Sequence, residues 1–287
     1  MKQAVRLASQ TESPFWAEGQ LVADRYRIQG CNRLGGACLV FKALDTWMDP
    51  AEQPVQVAIK TLRPEWSDSR EARNALKYEL RVLRAAFSPG VVRAHDIAVL
   101  DGHWSLLMDW VPGAPLGHWM QEQGSTLSVE QRFGHFLGLL KVVTHLHEQG
   151  IVHGDIKPSN IIVKGRMQVI LADFGLARLL AGPRPPVRLR GCTPDYTLPD
   201  RHRAEPASIL DDQYACLCVL SRMIFGTPCL TEARAENRVQ ARLLPHLKAA
   251  WSHMAEARKP VEWAPFVKAC REQIRPGRGR WRLWSRD

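Results

Sequence analysis

"IVHGDIKPSNIIV", residues 151–163, sets a histidine, an aspartate, a lysine and an asparagine between two apolar runs that read as buried strands. A buried carboxylate or ammonium costs several kcal/mol unless it is paired, binds a metal or does chemistry. The stretch therefore asks for partners elsewhere in the chain. Asp155, Lys157 and Asn160 fall on one loop, after a helix expected to close near Gly150, and Asp173 of "LADFGLAR" follows Asp155 by the length of a β-hairpin. All four can face one cleft.

Their chemistry is complementary. Asn160 and Asp173 offer hard oxygens of the kind Mg²⁺ takes when it also keeps phosphate oxygens and water. Asp155 can accept or orient the proton of an attacking hydroxyl, and Lys157 can neutralise charge on a moving phosphoryl group. Upstream, Glu79 has Leu76 three residues before it and Leu83 four after, so its carboxylate lies beside the buried face of a helix and needs a cation. Lys60, in "VAIK" on the preceding strand, is the candidate partner.

The rest of the chain sorts around these groups. Residues 25–110 read as a small antiparallel sheet with one helix: "DRYRIQGCNRL" and "CLVFKALD" alternate apolar and polar residues, "PVQVAIKTL" is a further strand, and "VVRAHDIAVLDGHWSLLMDWV" is a hairpin turning at Asp101-Gly102. "SREARNALKYELRVLRAA" opens on a serine cap and keeps helical spacing. After "PGAP" the pattern becomes helical, with "TLSVEQRFGHFLGLLKVVTHLHEQG" capped at both ends and "SILDDQYACLCVLSRMIFG" apolar almost all round. The expected organisation is an extension over 1–24, a sheet lobe over 25–110, a helical lobe over 111–275 and a basic tail over 276–287.

Five motifs now stand in order: VAIK, a helix glutamate, HxDxKxxN, DFG and "TPDYTLPD". The chain resembles the eukaryotic-type serine/threonine protein kinases, over residues 25 to about 276, in the style of bacterial members. "DDQY" resembles the aspartate opening their buried F helix, and "QIRP" the late arginine that pairs with the acidic residue of their APE segment. The resemblance implies an α+β, bilobal fold with a small antiparallel sheet lobe and a larger helical lobe. It implies ATP against Gly35, Gly36, Val40, Ala58, Lys60, Met108, Asp109, Val111 and Ile162. Mg²⁺ would lie on Asn160 and Asp173, with Lys60, Glu79, Asp155 and Lys157 in catalysis. His153 would pack under Phe174, and Thr193 would bond the catalytic aspartate and lysine.

The sequence also departs from that family. Aligned on Val40, Arg33, Gly35 and Cys38 stand at the three positions of the glycine loop, so only the central glycine survives, with Gly36 beside it. Gly154 replaces the arginine that receives an activation-segment phosphate, and residues 176–191 contain no serine, threonine or tyrosine. The expectation is a kinase that needs no phosphorylation there. An inactive pseudokinase and a small-molecule phosphotransferase, some of which carry HGD, are the alternatives.

Composition bounds the setting. The net charge of +10 is uneven: residues 1–110 hold 14 basic and 13 acidic side chains, residues 111–287 hold 25 and 16. Such excess favours acidic partners. Arg178, Arg184, Arg188, Arg190, Arg201 and Arg203 read either as a solvated face or as a preference for acidic residues near the target hydroxyl. The arginine and tryptophan tail could meet nucleic acid or an anionic surface. Seven cysteines without CxxC spacing read as reduced thiols, and the absence of a leader or membrane-spanning stretch reads as cytoplasmic.

Overall fold

Alternation along the first hundred residues becomes a six-stranded antiparallel sheet. In a computed structural model, which describes residues 15–33, 37–48, 55–165, 168–182, 193–199 and 206–275, backbone contacts divide the chain into two compact units: Met1–Leu76 with Ala94–Trp110, and Lys77–Arg93 with Val111–Asp287.

The first unit contains β1 (Leu21–Val22), β2 (Tyr26–Arg33), β3 (Cys38–Asp45), β4 (Gln56–Leu62), the start of α1 (Arg70–Ala85), β5 (Ala94–Leu100) and β6 (His103–Asp109). The sheet order is β1-β2-β3-β4-β6-β5. The β5–β6 hairpin turns at Asp101 and Gly102, which both have positive φ (45° and 84°), as the tight turn between right-twisted strands requires. At the far end of β2 and β3, Arg25 clamps the ladder by donating from Nε to Asp45 Oδ1 (2.8 Å) and from its terminal amine to Oδ2 (2.6 Å). This guanidinium holds the Asp45 carboxyl below its usual range.

One face of the sheet is the core. Leu39, Phe41, Ala43, Val57 and Ile59 project there, together with Trp16, Val22, Tyr26, Ile28 and Leu100. Trp16 is 3 % exposed and stacks at 5.0 Å on Phe41, with Phe15 also at 5.0 Å. Residues 15–24 thereby group with the first unit, β1 in its sheet and Trp16 and Val22 in its core. Phe15, Trp16 and Val22 are spaced without alternation, so their pattern alone does not mark a strand. Residues 77–93 likewise group with the second unit, where Gly90 and Val92 bond Leu171: Val92 N–H to Leu171 O (3.0 Å) and Leu171 N–H to Gly90 O (2.8 Å).

In α1, Ser69 Oγ accepts the Ala72 N–H (3.1 Å), capping the helix as expected, and Leu76, Leu80 and Leu83 are buried. The second unit continues with β7 (Ala114–Pro115), α2 (Leu116–Gln123), α3 (Val129–Glu148), β8 (Ile151–Val152), β9 (Ile161–Lys164), β10 (Gln168–Leu171), β11 (Arg178–Leu179), α4 (Ile209–Phe225), α5 (Arg238–Ala255) and α6 (Trp263–Ile274). Both α3 and α4 begin with capping boxes, Ser128 with Gln131 and Ser208 with Asp211. Gly226 in the left-handed conformation ends α4. From Asp211 to Ile224 that helix is buried except at Arg222, so Cys216 and Cys218 are core positions, and burial pushes the Cys218 thiol up to about 12. Among the described residues no helix is long and apolar enough to cross a membrane.

Candidate active site

The candidate residues form two groups, one on each unit. On the first, the ladder pairs Val40 with Lys60 and Lys60 with Leu106, and Ala58 with Met108. Val40, Ala58, Lys60 and Met108 therefore share the sheet face opposite the Trp16 core. β4 is central and buried on both sides, which leaves Lys60 only 9 % exposed. Asp109, at the end of β6, is half exposed and meets His95 Nε2 at 2.6 Å. Gly35 and Gly36 lie outside the described residues.

On the second unit, the quoted stretch becomes β8, a loop with a 3-10 turn at Pro158–Asn160, and β9. The Asp155 carboxylate is the centre of a closed circuit. Oδ1 accepts the Thr193 hydroxyl (3.1 Å), while Oδ2 accepts the Asn160 amide (2.9 Å) and pairs with Lys157 Nζ (2.7 Å). Lys157 Nζ also donates to Thr193 Oγ1 (2.9 Å). Thr193 thus accepts from the lysine and donates to the aspartate through one hydroxyl oxygen.

The β9–β10 hairpin brings the remaining carboxylate into place. Its register pairs Ile161 with Leu171, so Asn160 neighbours Ala172, whose N–H donates to Asn160 O (2.9 Å). Asp173 follows at once, in a left-handed conformation (φ 62°). The amide nitrogen of Asn160 donates to Asp155 O (2.8 Å) and Oδ2 (2.9 Å), and its oxygen, a hard ligand atom, accepts the Ser159 hydroxyl at 3.5 Å. Among the described residues no three His, Cys, Asp or Glu side chains cluster as a metal site. Two oxygen ligands from protein, the rest from phosphate and water, is the donor set Mg²⁺ accepts, so the residues fit that ion.

His153 is fully buried against Phe174, with ring centroids 4.6 Å apart. Its Nδ1 accepts the Asp155 N–H (3.3 Å) and Nε2 faces Ala172 O (3.2 Å), partners that assign the Nε2–H tautomer. Beneath the loop lies Asp212 of α4, 1 % exposed. Its oxygens take the His153 N–H (2.8 Å), the Gly154 N–H (2.8 Å) and His147 Nε2 (3.0 Å). Asp212→Asn, which retains one acceptor of two, is expected to cost about 1–3 kcal/mol in denaturant unfolding. Unchanged stability would mean the loop amides do not depend on the carboxylate.

Gly154 has φ +77°, and a Cβ there would stand 2.8 Å from Leu176 O and 3.0 Å from Ala207 Cβ. That backbone conformation and those two close contacts both favour glycine at this position. Arg178 Nε donates to Ala207 O at 2.5 Å. The arginines expected at 184, 188, 190, 201 and 203, together with Asp200 and the tail 276–287, fall outside the described residues; Arg275 pairs with Glu130.

A model of the protein kinase domain matches residues 35–273. The chain belongs to the protein kinase family. This kinase chain is 30 % identical over 219 residues to a probable serine/threonine-protein kinase of Corynebacterium efficiens, covering 72 % of this chain and 32 % of that one. It is 27 % identical over 213 residues to the serine/threonine-protein kinase PknD of Mycobacterium tuberculosis, covering 73 % and 31 %. It thus spans about a third of the length of these relatives. Its fold resembles the kinase domain of Mycobacterium tuberculosis PknI, with TM-score 0.63 and 22 % identity over 90 % of this chain and 98 % of that one.

Two features of this kinase escaped sequence reading. The hydroxyl of Tyr78 bonds the Leu179 N–H across 101 residues, and nothing local to Tyr78 signals it. The triple grip of Asp212 was legible only as the aspartate of "DDQY", not as the support of the loop.

Proposed function

We propose that the chain transfers the γ-phosphate of ATP to serine or threonine hydroxyls of proteins. The circuit of Asp155, Lys157 and Thr193 carries this reading, since it presents an oriented carboxylate beside an ammonium, the pair that phosphoryl transfer to a hydroxyl needs. Asp155 orients the acceptor hydroxyl and takes its proton, and Lys157 offsets the charge moving toward that oxygen. Lys60 grips the nucleotide phosphates with Glu79 as its counter-ion, while Gly35, Gly36, Val40, Ala58, Met108 and Ile162 enclose the nucleotide. Asp109 and Val111 offer it backbone hydrogen bonds. Asn160 and Asp173 would hold Mg²⁺, which supplies neutralisation of phosphate charge.

Activity independent of activation-segment phosphorylation is part of the proposal. It is supported by Gly154 in place of a guanidinium, by the absence of hydroxyl side chains over 176–191, and by the engagement of Arg178 with Ala207. The basic excess favours substrates with acidic residues near the acceptor, and seven cysteines without CxxC spacing suit a reducing cytoplasm.

Labelled ATP with Mg²⁺ tests the reading. Wild type, with or without prior phosphatase treatment, is expected to label casein, and Asp173→Ala is not. Labelling of an aminoglycoside instead would replace the protein-substrate reading, and no labelling at all would indicate a binding role.

A further inference from the structure

β11 is two residues long, and its ladder to β8 pairs Arg178 with Val152 and Leu179 with Ile151. The next amide, Leu180 N–H, turns toward β8 and bonds Gly150 O at 2.7 Å. Strand alternation therefore turns the Leu179 N–H away from the ladder. A backbone donor on a half-buried strand needs an acceptor there. It finds the phenol oxygen of Tyr78 at 3.2 Å.

The position of that bond gives it meaning. Tyr78 adjoins Glu79 on the part of α1 that groups with the second unit, and Leu179 lies six residues beyond Asp173. A non-glycine residue in the left-handed region costs roughly 1–2 kcal/mol, so the Asp173 backbone persists only while both flanks hold it. Before Asp173, Ala172 is bonded to Asn160 O and faces His153 Nε2. After it, Phe174 lies on His153, the Ala177 N–H closes a turn on Phe174 O (3.0 Å), and the next anchors are β8 and Tyr78.

We propose that Tyr78 is a positioning residue for phosphoryl transfer: by accepting the Leu179 N–H, its hydroxyl fastens the segment after Asp173 to the helix that carries Glu79. The role rests on the kinase reading above. It supplies from within the fold an anchor for the activation segment that a phosphate on that segment would otherwise provide. The ring stays in place in Tyr78→Phe, which removes a single oxygen.

Hydrogen exchange followed by peptide mass analysis, beside steady-state kinetics, tests it. In Tyr78→Phe, exchange at the Leu179 amide is expected to rise about tenfold, the effect of losing one hydrogen bond of ordinary net strength. kcat should fall by a similar factor with KM for ATP within twofold and the melting temperature little changed. Asn74→Ala, on the exposed side of the same helix, should alter neither. Unchanged exchange in Tyr78→Phe overturns the contact. Faster exchange with wild-type kcat overturns the positioning role and leaves the kinase reading standing. A wild type that transfers no phosphate overturns both, whatever the exchange shows.

Discussion

Asp155→Asn is expected to lower kcat by roughly 10²- to 10⁴-fold, the range a positioned acid or base contributes. The substitution keeps the shape of the side chain, so the Thr193 hydroxyl and the Asn160 amide still meet a polar group. What disappears is the negative charge that pairs with Lys157 Nζ and that, in the proposed reaction, would accept the proton of the attacking hydroxyl. KM for ATP should move by less than about threefold, because the role proposed for Asp155 is on the acceptor and not on the nucleotide. The measurement is phosphate transfer from labelled ATP under saturating substrate, with melting temperature as the control for folding. Residual activity above a tenth of wild type would remove Asp155 from the role of base.

Trp16→Ala should destabilise the first unit by about 3–5 kcal/mol, as expected for an aromatic side chain deleted from a core. Its ring is buried against Phe15 and Phe41, and His103 stands 5.8 Å away. That unit has few alternative layers to close over the gap, since the same sheet face supplies Phe41, Ile28 and Ile59. In thermal unfolding the loss corresponds to a fall of roughly 6–20 °C. A change below about 1 kcal/mol would return residues 15–24 to the status of an appended arm.

The contrast between Trp16 and Ser69 shows what a linear reading reaches. Ser69, Ser128 and the Asp101-Gly102 turn act on amides within a few residues, so local pattern is enough to place them. The same holds for Asp155, Lys157, Asn160 and Asp173, because one loop and one hairpin bring them together. Trp16 reaches its core by packing against strands far along the chain, and its own neighbourhood has no periodicity. Residues 77–93 continue the helix of the first unit without a break in pattern, yet their backbone bonds go to Leu171. Tyr78 presents only a phenol on an amphipathic helix, and its partner is an amide, which every residue but proline carries. Such pairings leave no mark in composition or spacing.

The carboxylate beneath the loop also sets an order of assembly. Asp212 lies 57 residues after Asp155 (212 − 155). At a synthesis rate of about 5–20 residues per second, the ribosome adds it some 3–11 s later. Until then the amides of His153 and Gly154 lack the acceptor that shapes their backbone. A nascent chain halted before α4 would carry Asp155, Lys157, Asn160 and Asp173 without the carboxylate that fixes the loop amides just before them.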